Sequence, residues 1–329
     1  MKLDRRRFLA LSTAATGAVA LPSSVIAEAT RPAGSLRFVF FTDTHLDTEL
    51  SASEATAKCF AKVRSLKPEF CIQGGDHCMD LTGVPRARST MLLDLYAKTE
   101  HVLDMPVHHV LGNHDVFGGD IKSGVDTDDP LYGKKAFEQR YGKTYRSWDH
   151  KGYHFIVLDT IGITEDRQFN AWVNAEQLKW LATDLSNVPS GTPIVVASHV
   201  PLVSAAPQYK PPYIEKNPAA AKYHGFLLGN AYEVLPLFEG HNVIAVLQGH
   251  THINEVVYWR DVPFITSGAV CGNWWKGPRW GTPEGFTVLE LDNGKVHWHY
   301  EIYGWTSVAP EPDPLKPLKN PRIAGNGQS

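Results

Sequence analysis

The chain has 329 residues, 43% of them apolar and 20% charged, with a formal net charge of −3. That composition supports a packed core and excludes a disordered body, and the acidic balance excludes a general attraction to nucleic acid or anionic lipid. Length alone favours two domains, but apolar runs continue evenly from Leu36 to Tyr303 with no linker-like break, which predicts one domain over residues 30–305.

Residues 1–29 read as an export signal peptide. Arg5-Arg6-Arg7 precede Phe8-Leu9 and an uncharged stretch of small and apolar residues, with exit sites ending at Ala27 and Ala29. These are the basic, apolar and small-residue regions of a cleavable signal. The stretch is short and rich in Ala, Ser, Thr and Gly, so no stable membrane anchor is expected after cleavage. Arg-Arg-x-Phe-Leu resembles the twin-arginine signal, a receptor-read address. It implies the twin-arginine export machinery as a partner and a periplasmic or otherwise extracytoplasmic location in a bacterium. Cleavage would leave the remainder more acidic, since the segment holds Lys2, Arg5, Arg6 and Arg7 against Asp4 and Glu28.

Beyond residue 30, each strand-like run ends in a cluster of polar residues of one kind. Residues 36–41 lead into Thr42-Asp43-Thr44-His45, and 69–73 into Gly74-Gly75-Asp76-His77. Residues 106–111 lead into Gly112-Asn113-His114-Asp115, 193–198 into His199, and 242–247 into Gln248-Gly249-His250-Thr251-His252. Short apolar runs bounded by Gly or Pro are expected to be strands buried on both faces. Helix-like stretches cover 53–66, 87–103 and 175–185; in the last, Leu178, Leu181 and Leu185 share one face. Strand–helix alternation implies an α/β sheet with helical cover, and ligands bind beyond the carboxyl ends of such strands. Every Asp/His/Asn cluster falls at one of those ends.

After His252 come short alternating runs at 255–259, 262–266, 286–291 and 295–303, with Asn293-Gly294 as a hairpin turn. They predict a second, largely antiparallel sheet packed on the first. Residues 306–329 form a Pro-rich tail. The four cysteines permit disulfides in an exported chain without spelling out a framework. Cys71 reads as a buried apolar residue, and the lack of Cys-x-x-Cys argues against a thiolate zinc site.

His, carboxylate and carboxamide ligands without thiolate suit Mn, Fe or Zn. Asp43 and His45, two apart in an extended segment, would face one ion; His250 and His252 repeat that spacing. Asp76 has two oxygens to share between cations, and Asn113 adds a neutral oxygen. Two such ions would clamp a phosphoryl oxygen and activate a bridging hydroxide. His114 would assist the transition state and leaving group, with Asp115 holding its tautomer.

Asp43-x-His45, Gly75-Asp76, Gly112-Asn113-His114-Asp115, His199 and Gly249-His250-Thr251-His252, in that order, resemble the full signature of the calcineurin-like metallophosphoesterase superfamily. Residues 145–148 and 154–159 are similar to the strand pair that comes after its Asn-His-Asp motif, so the resemblance spans about 36–303. It implies a four-layer αββα sandwich, and a dinuclear site of two divalent or trivalent ions acting on a small phosphodiester or phosphomonoester. By the same resemblance Asp43, His45, Asp76 and His252 hold one metal; Asp76, Asn113, His199 and His250 hold the other; and His114 is catalytic. The run from Gly75-Asp76 to Gly83 lacks the close Asp-Arg-Gly of the superfamily's phosphoprotein phosphatases, which argues against that activity.

The alternative is an exported binding or scaffold protein that kept the fold without turnover. Its sign would be a missing ligand or a missing His114, and neither is missing. A metallo-β-lactamase-type hydrolase would need His-x-His-x-Asp-His, which is not present. His108, His109, His297 and His299 read as strand residues, and His77 as either a substrate contact or a structural group. Trp274, Trp275, Arg279 and Trp280 read either as a substrate wall, with Arg279 on phosphate, or as a loop pinned to the sheet. Tyr209, Lys210, Tyr213 and Tyr223 lie in a long loop that either rims the site or is plain surface.

Overall fold

The computed structural model describes residues 34–208 and 225–315. The export segment, Tyr209, Lys210, Tyr213, Tyr223 and the end of the Pro-rich tail lie outside the described residues. In chain order the first half runs β1 (Leu36–Phe41), α1 (Ala52–Ser65), β2 (Cys71–Gln73), α2 (Arg86–Glu100), β3 (Val107–His109), α3 (Lys135–Tyr141), β4 (Arg146–His150) and β5 (Tyr153–Val157). It continues through a hairpin of β6 (Ile161–Ile163) and β7 (Phe169–Ala171) to α4 (Ala175–Asn187), β8 (Ile194–Ala197), α5 (Ala231–Val234) and β9 (Val243–Gln248). The chain then forms β10 (Glu255–Trp259), β11 (Val262–Thr266), β12 (Gly285–Asp292) and β13 (Lys295–Ile302).

Two mixed sheets result, ordered β13-β12-β1-β2-β3 and β10-β11-β9-β8-β5-β4. The alternation of side chains along β1 shows how they stack. Phe38 and Phe40 face Phe155, Val195, Ala245 and Leu289 in the core between the sheets. Val39 and Phe41 face the other way, onto Phe60 and Val63 of α1 and Leu92 and Tyr96 of α2. The second sheet does the same, sending Ile156, Val196 and Val246 outward onto Leu181 and Leu185 of α4. The order of layers is therefore helix, sheet, sheet, helix: the expected αββα sandwich in a single domain.

The expected second antiparallel sheet made of the four last strands does not exist. β11 lies parallel to β9 and carries β10 with it into the six-stranded sheet. β12 lies antiparallel to β1 and carries β13 into the five-stranded sheet. Each hairpin closes an edge of a different parallel core, and alternation alone does not say which edge receives it. The Asn293-Gly294 turn is as expected, with φ of 49° and 75°, the left-handed pair a two-residue hairpin needs. His297 and His299 are exposed on β13. All four cysteines are free and buried, and Cys71 packs as an apolar residue beside Met105.

Candidate metal centre

The loops after β1, β2, β3, β8 and β9 converge at one end of the sandwich. The sequence-predicted ligands sit there in two donor groups. In one, His199 Nε2 stands 3.0 Å from Asn113 Oδ1, 3.2 Å from Asp76 Oδ2 and 3.2 Å from His250 Nδ1. In the other, His252 Nε2 is 3.3 Å and His45 Nε2 3.9 Å from Asp43 Oδ1, and His45 Nε2 is 3.4 Å from Asp76 Oδ2. One oxygen, Asp76 Oδ2, thus belongs to both groups.

The backbone aims these atoms. Thr42 Oγ1 and the His250 N–H donate to Asp43 Oδ2 at 2.7 and 2.8 Å, leaving Oδ1 toward the centre. The His114 N–H donates to Asp76 Oδ1 at 2.8 Å, which leaves Oδ2 shared. A carbonyl only accepts, so it fixes which ring nitrogen carries hydrogen. His199 Nδ1–H meets Gly74 O at 2.8 Å, His252 Nδ1–H meets Gly272 O at 2.6 Å, and His250 Nε2–H meets Gly225 O at 2.6 Å. In each case the other nitrogen faces the centre. Orienting a metal-binding imidazole through its far nitrogen is the usual supporting arrangement.

The expectation that Asp43 and His45 share a side because their segment is extended is wrong in its geometry, although both do reach one group. Asp43, His45, Asp76, His250 and His252 all have positive φ, between 41° and 69°. Left-handed backbone is costly for such residues and concentrates at functional sites. Glycine permits the close approaches: a Cβ on Gly112 would lie 2.1 Å from the Asp76 nitrogen, and one on Gly75 2.4 Å from His199 Nδ1.

The donors fit a cation. Asp43 Oδ1 and His45 Nε2 are buried without a hydrogen-bond partner among the described residues, an expensive state for polar atoms unless an ion satisfies them. Against the opposing effect of burial, the Asp76 and Asp43 carboxylates raise the His199 pKa to about 9. Burial lowers His45 to about 3 and, together with His199, lowers His250 to about 4. A metal would take the place of the His199 proton, as metal binding commonly does. Cys271 also reaches this end, with Sγ 3.7 Å from His252 Nδ1. Burial pushes its thiol well above the ordinary value, and its sulfur lies beside Nδ1 of His252, the nitrogen tied to Gly272 O and turned away from the centre.

One sequence expectation about the neighbours needs correcting. Asp115 does not hold His114. Its carboxylate turns back to accept from the backbone N–H of Gly112, Asp76 and His77, each at 2.9 Å, and meets His77 Nδ1 at 2.8 Å. The cause is the 3₁₀ turn at Asn113–Asp115: at three residues per turn, successive side chains diverge by about 120°. The carboxylate near His114 Nδ1 is Asp80, at 3.7 Å, itself fixed by the Thr82 N–H at 2.8 Å. Sequence reasoning missed Asp80, whose only signal was a second acidic residue four places after Asp76. Asp76 and Asp80 raise the His114 pKa to about 9 against the effect of burial.

His77 lies behind the site rather than on its substrate side. It is buried, and its Nε2 is 3.0 Å from Nδ1 of His109, which packs on Tyr141 and sits 3.6 Å from Glu100. His108 stacks on Trp148 at 3.9 Å; both strand histidines are packing groups. Trp275 is wholly buried and donates to His45 O at 2.8 Å, so this residue pins its loop. Trp274 instead lies 4.8 Å from the His252 ring.

A family model described as calcineurin-like phosphoesterase matches residues 36–254. No curated protein sequence matches the chain. Among solved structures it is similar to a dimetal phosphatase from Danio rerio, with 14% identity, 82% of this chain and 99% of that one covered, and a TM-score of 0.56. It is also similar to GAP50, described as the anchor in the inner membrane complex of Plasmodium, with 18% identity, coverage of 86% and 91%, and a TM-score of 0.51. A third is the purple acid phosphatase PPD1 from yellow lupin, with 12% identity, coverage of 82% and 52%, and a TM-score of 0.50. At these identities the structures share a fold, and the family match carries the classification. The chain belongs to the calcineurin-like phosphoesterase family and is a metal-dependent phosphoesterase.

Proposed function

We propose that the centre is dinuclear and hydrolyses a small phosphodiester or phosphomonoester with water. The observation that carries this reading is the position of Asp76 Oδ2, 3.4 Å from His45 Nε2 and 3.2 Å from His199 Nε2, where one oxygen serves two donor groups. Two ions held by these groups would polarise the phosphoryl oxygens and lower the pKa of water toward neutrality. The chain's own residues do the rest. Asn113 contributes a neutral oxygen, so the second group carries less negative charge to repel an anionic substrate. His114, held protonated beside Asp80, donates to the oxygen that gains charge as the ester bond breaks. Asp115 ties the Gly112, Asp76 and His77 backbone together and keeps the two motif loops in register.

Mn, Fe and Zn all suit the donor set. The likeness to GAP50 keeps a binding or anchoring role as the second reading, because this fold serves a protein of that description. The complete ligand set and His114 favour turnover.

The test is hydrolysis of bis(p-nitrophenyl) phosphate by metal-stripped protein reloaded with Mn, Fe or Zn, beside Asn113→Ala. Loss of a group that merely supports a ligand costs 10–100-fold, so loss of this ligand should cost at least about 100-fold. Restored turnover in the native chain and its absence in the variant are expected. Equal turnover by both would remove Asn113 from the centre.

A further inference from the structure

The loop at 273–281, just outside the donor groups, has a construction that metal binding does not require. Trp274 and Trp280 both hold positive φ, 48° and 46°, conformations that bulky residues adopt at a cost. The Arg279 guanidinium packs on both rings, 5.0 Å from the Trp274 centroid and 4.5 Å from that of Trp280. Arg279 Nη1 donates to Asn273 Oδ1 at 3.0 Å. The loop is also stapled from outside by the start of the Pro-rich tail. Ser307 Oγ donates to Trp275 O at 2.6 Å, Glu311 N–H to Lys276 O at 2.8 Å, and Gly281 N–H to Asp313 Oδ2 at 2.5 Å. The Lys276–Glu311 ion pair at 2.7 Å adds a side-chain tie.

This cluster of two indoles and a guanidinium borders the centre directly. The Trp274 ring is 4.8 Å from His252 and 6.1 Å from His45. Trp280 continues the wall toward Phe226, 6.4 Å away, whose ring is 6.2 Å from His250. Aromatic rings therefore stand beside ligands of both donor groups.

We propose that this wall is the subsite for a planar, ring-bearing group attached to the substrate phosphate, with Trp274 as the stacking surface. The substrate class is an aryl or heterocycle-bearing phosphoester rather than a simple alkyl one. Rings stack on tryptophan whatever their edge chemistry. Arg279 acts here as a positioning residue. Its guanidinium packs against both indoles and its Nη1 donates to Asn273 Oδ1, contacts that hold the wall in place. Rigid walls of this kind cost little ordering on binding.

The inference rests on the phosphoesterase reading, and the test separates the two. Inhibition constants for inorganic phosphate, methylphosphonate and phenylphosphonate are measured on the metal-loaded enzyme, with Trp274→Leu, Trp274→Phe and Arg279→Gln alongside. The native enzyme should prefer phenylphosphonate over methylphosphonate by about tenfold. Trp274→Leu should abolish the preference, Trp274→Phe should keep most of it, and Arg279→Gln should reduce it, while phosphate inhibition moves less than about twofold. A native ratio near one, or a ratio that Trp274→Leu leaves intact, overturns the subsite. A large rise in the phosphate constant in Arg279→Gln overturns the positioning role. Absence of bis(p-nitrophenyl) phosphate hydrolysis by every metal-loaded form would instead defeat the phosphoesterase reading, and the subsite with it.

Discussion

Asp76→Asn should abolish activity by removing the oxygen shared between the donor groups, while leaving the fold in place. The side chain is nearly isosteric and fully enclosed, yet an amide cannot do what the carboxylate does. One carboxylate oxygen accepts from the His114 N–H and the other faces the centre. In the variant, the amide oxygen can keep the first contact only by turning its NH₂ toward the metals. The opposite orientation leaves two donors facing each other at His114. Either way no carboxylate oxygen would remain for the two proposed ions to share, and electrostatic help worth several kcal/mol would go with it. At 1.36 kcal/mol per tenfold, kcat should fall by about 10⁴-fold or more. Metal content by elemental analysis should fall in parallel. Excess metal should raise the thermal midpoint of the native chain, which binds it only when folded, and should leave the variant's midpoint unmoved. A variant that keeps two ions and native turnover would show that Asp76 is a structural carboxylate.

The second large effect separates His114 from its neighbours. His114→Gln should lower kcat by about 10²–10⁴-fold with metal content unchanged. The loss should be at the small end for p-nitrophenolate, which needs little help to leave, and at the large end for an alkoxide. Asp80→Asn should cost less, about 10–100-fold, as befits a group acting through an imidazole. It should also displace the pH profile in a stated direction. Asp76 and Asp80 raise the His114 pKa, to about 9, and an acid is active only while protonated. Removing the Asp80 charge lowers that pKa, so the alkaline loss of activity should begin at lower pH. Asp115 also raises that pKa, as the last of these charges, so Asp115→Asn should move the alkaline limb less than Asp80→Asn and act chiefly through the loops it ties together. If Asp115→Asn shifted the limb and Asp80→Asn did not, the pairing seen here would be wrong.

These two predictions also mark where sequence reading stops. The convergence of the seven candidate ligands was legible because each comes after a run of apolar residues that reads as a buried strand, and chain order then stacks those strand ends together. The pairing of His114 was not legible. Adjacency in the chain put Asp115 forward, and a single 3₁₀ turn sends that side chain backwards, while Asp80 arrives from a loop 34 residues earlier. The four last strands were legible as hairpins but not by sheet, because alternation fixes which face is buried and says nothing of which edge is open. The left-handed backbone at Asp43, His45, Asp76, His250 and His252 had no local signal either, since none of these positions is glycine. The loop carrying Trp274, Arg279 and Trp280 left two readings open. Trp275 pins it and Trp274 faces the centre, so both readings describe part of the same loop.

Whether two metal ions, joined through Asp76, make this chain a phosphoesterase is tested most directly by titration. Metal-stripped protein is titrated with Mn, Fe or Zn while bis(p-nitrophenyl) phosphate hydrolysis and bound metal are measured in the same samples. Saturation is expected at two equivalents, with turnover rising chiefly as the second ion binds. Full turnover at one equivalent, or turnover independent of metal, would contradict the dinuclear centre.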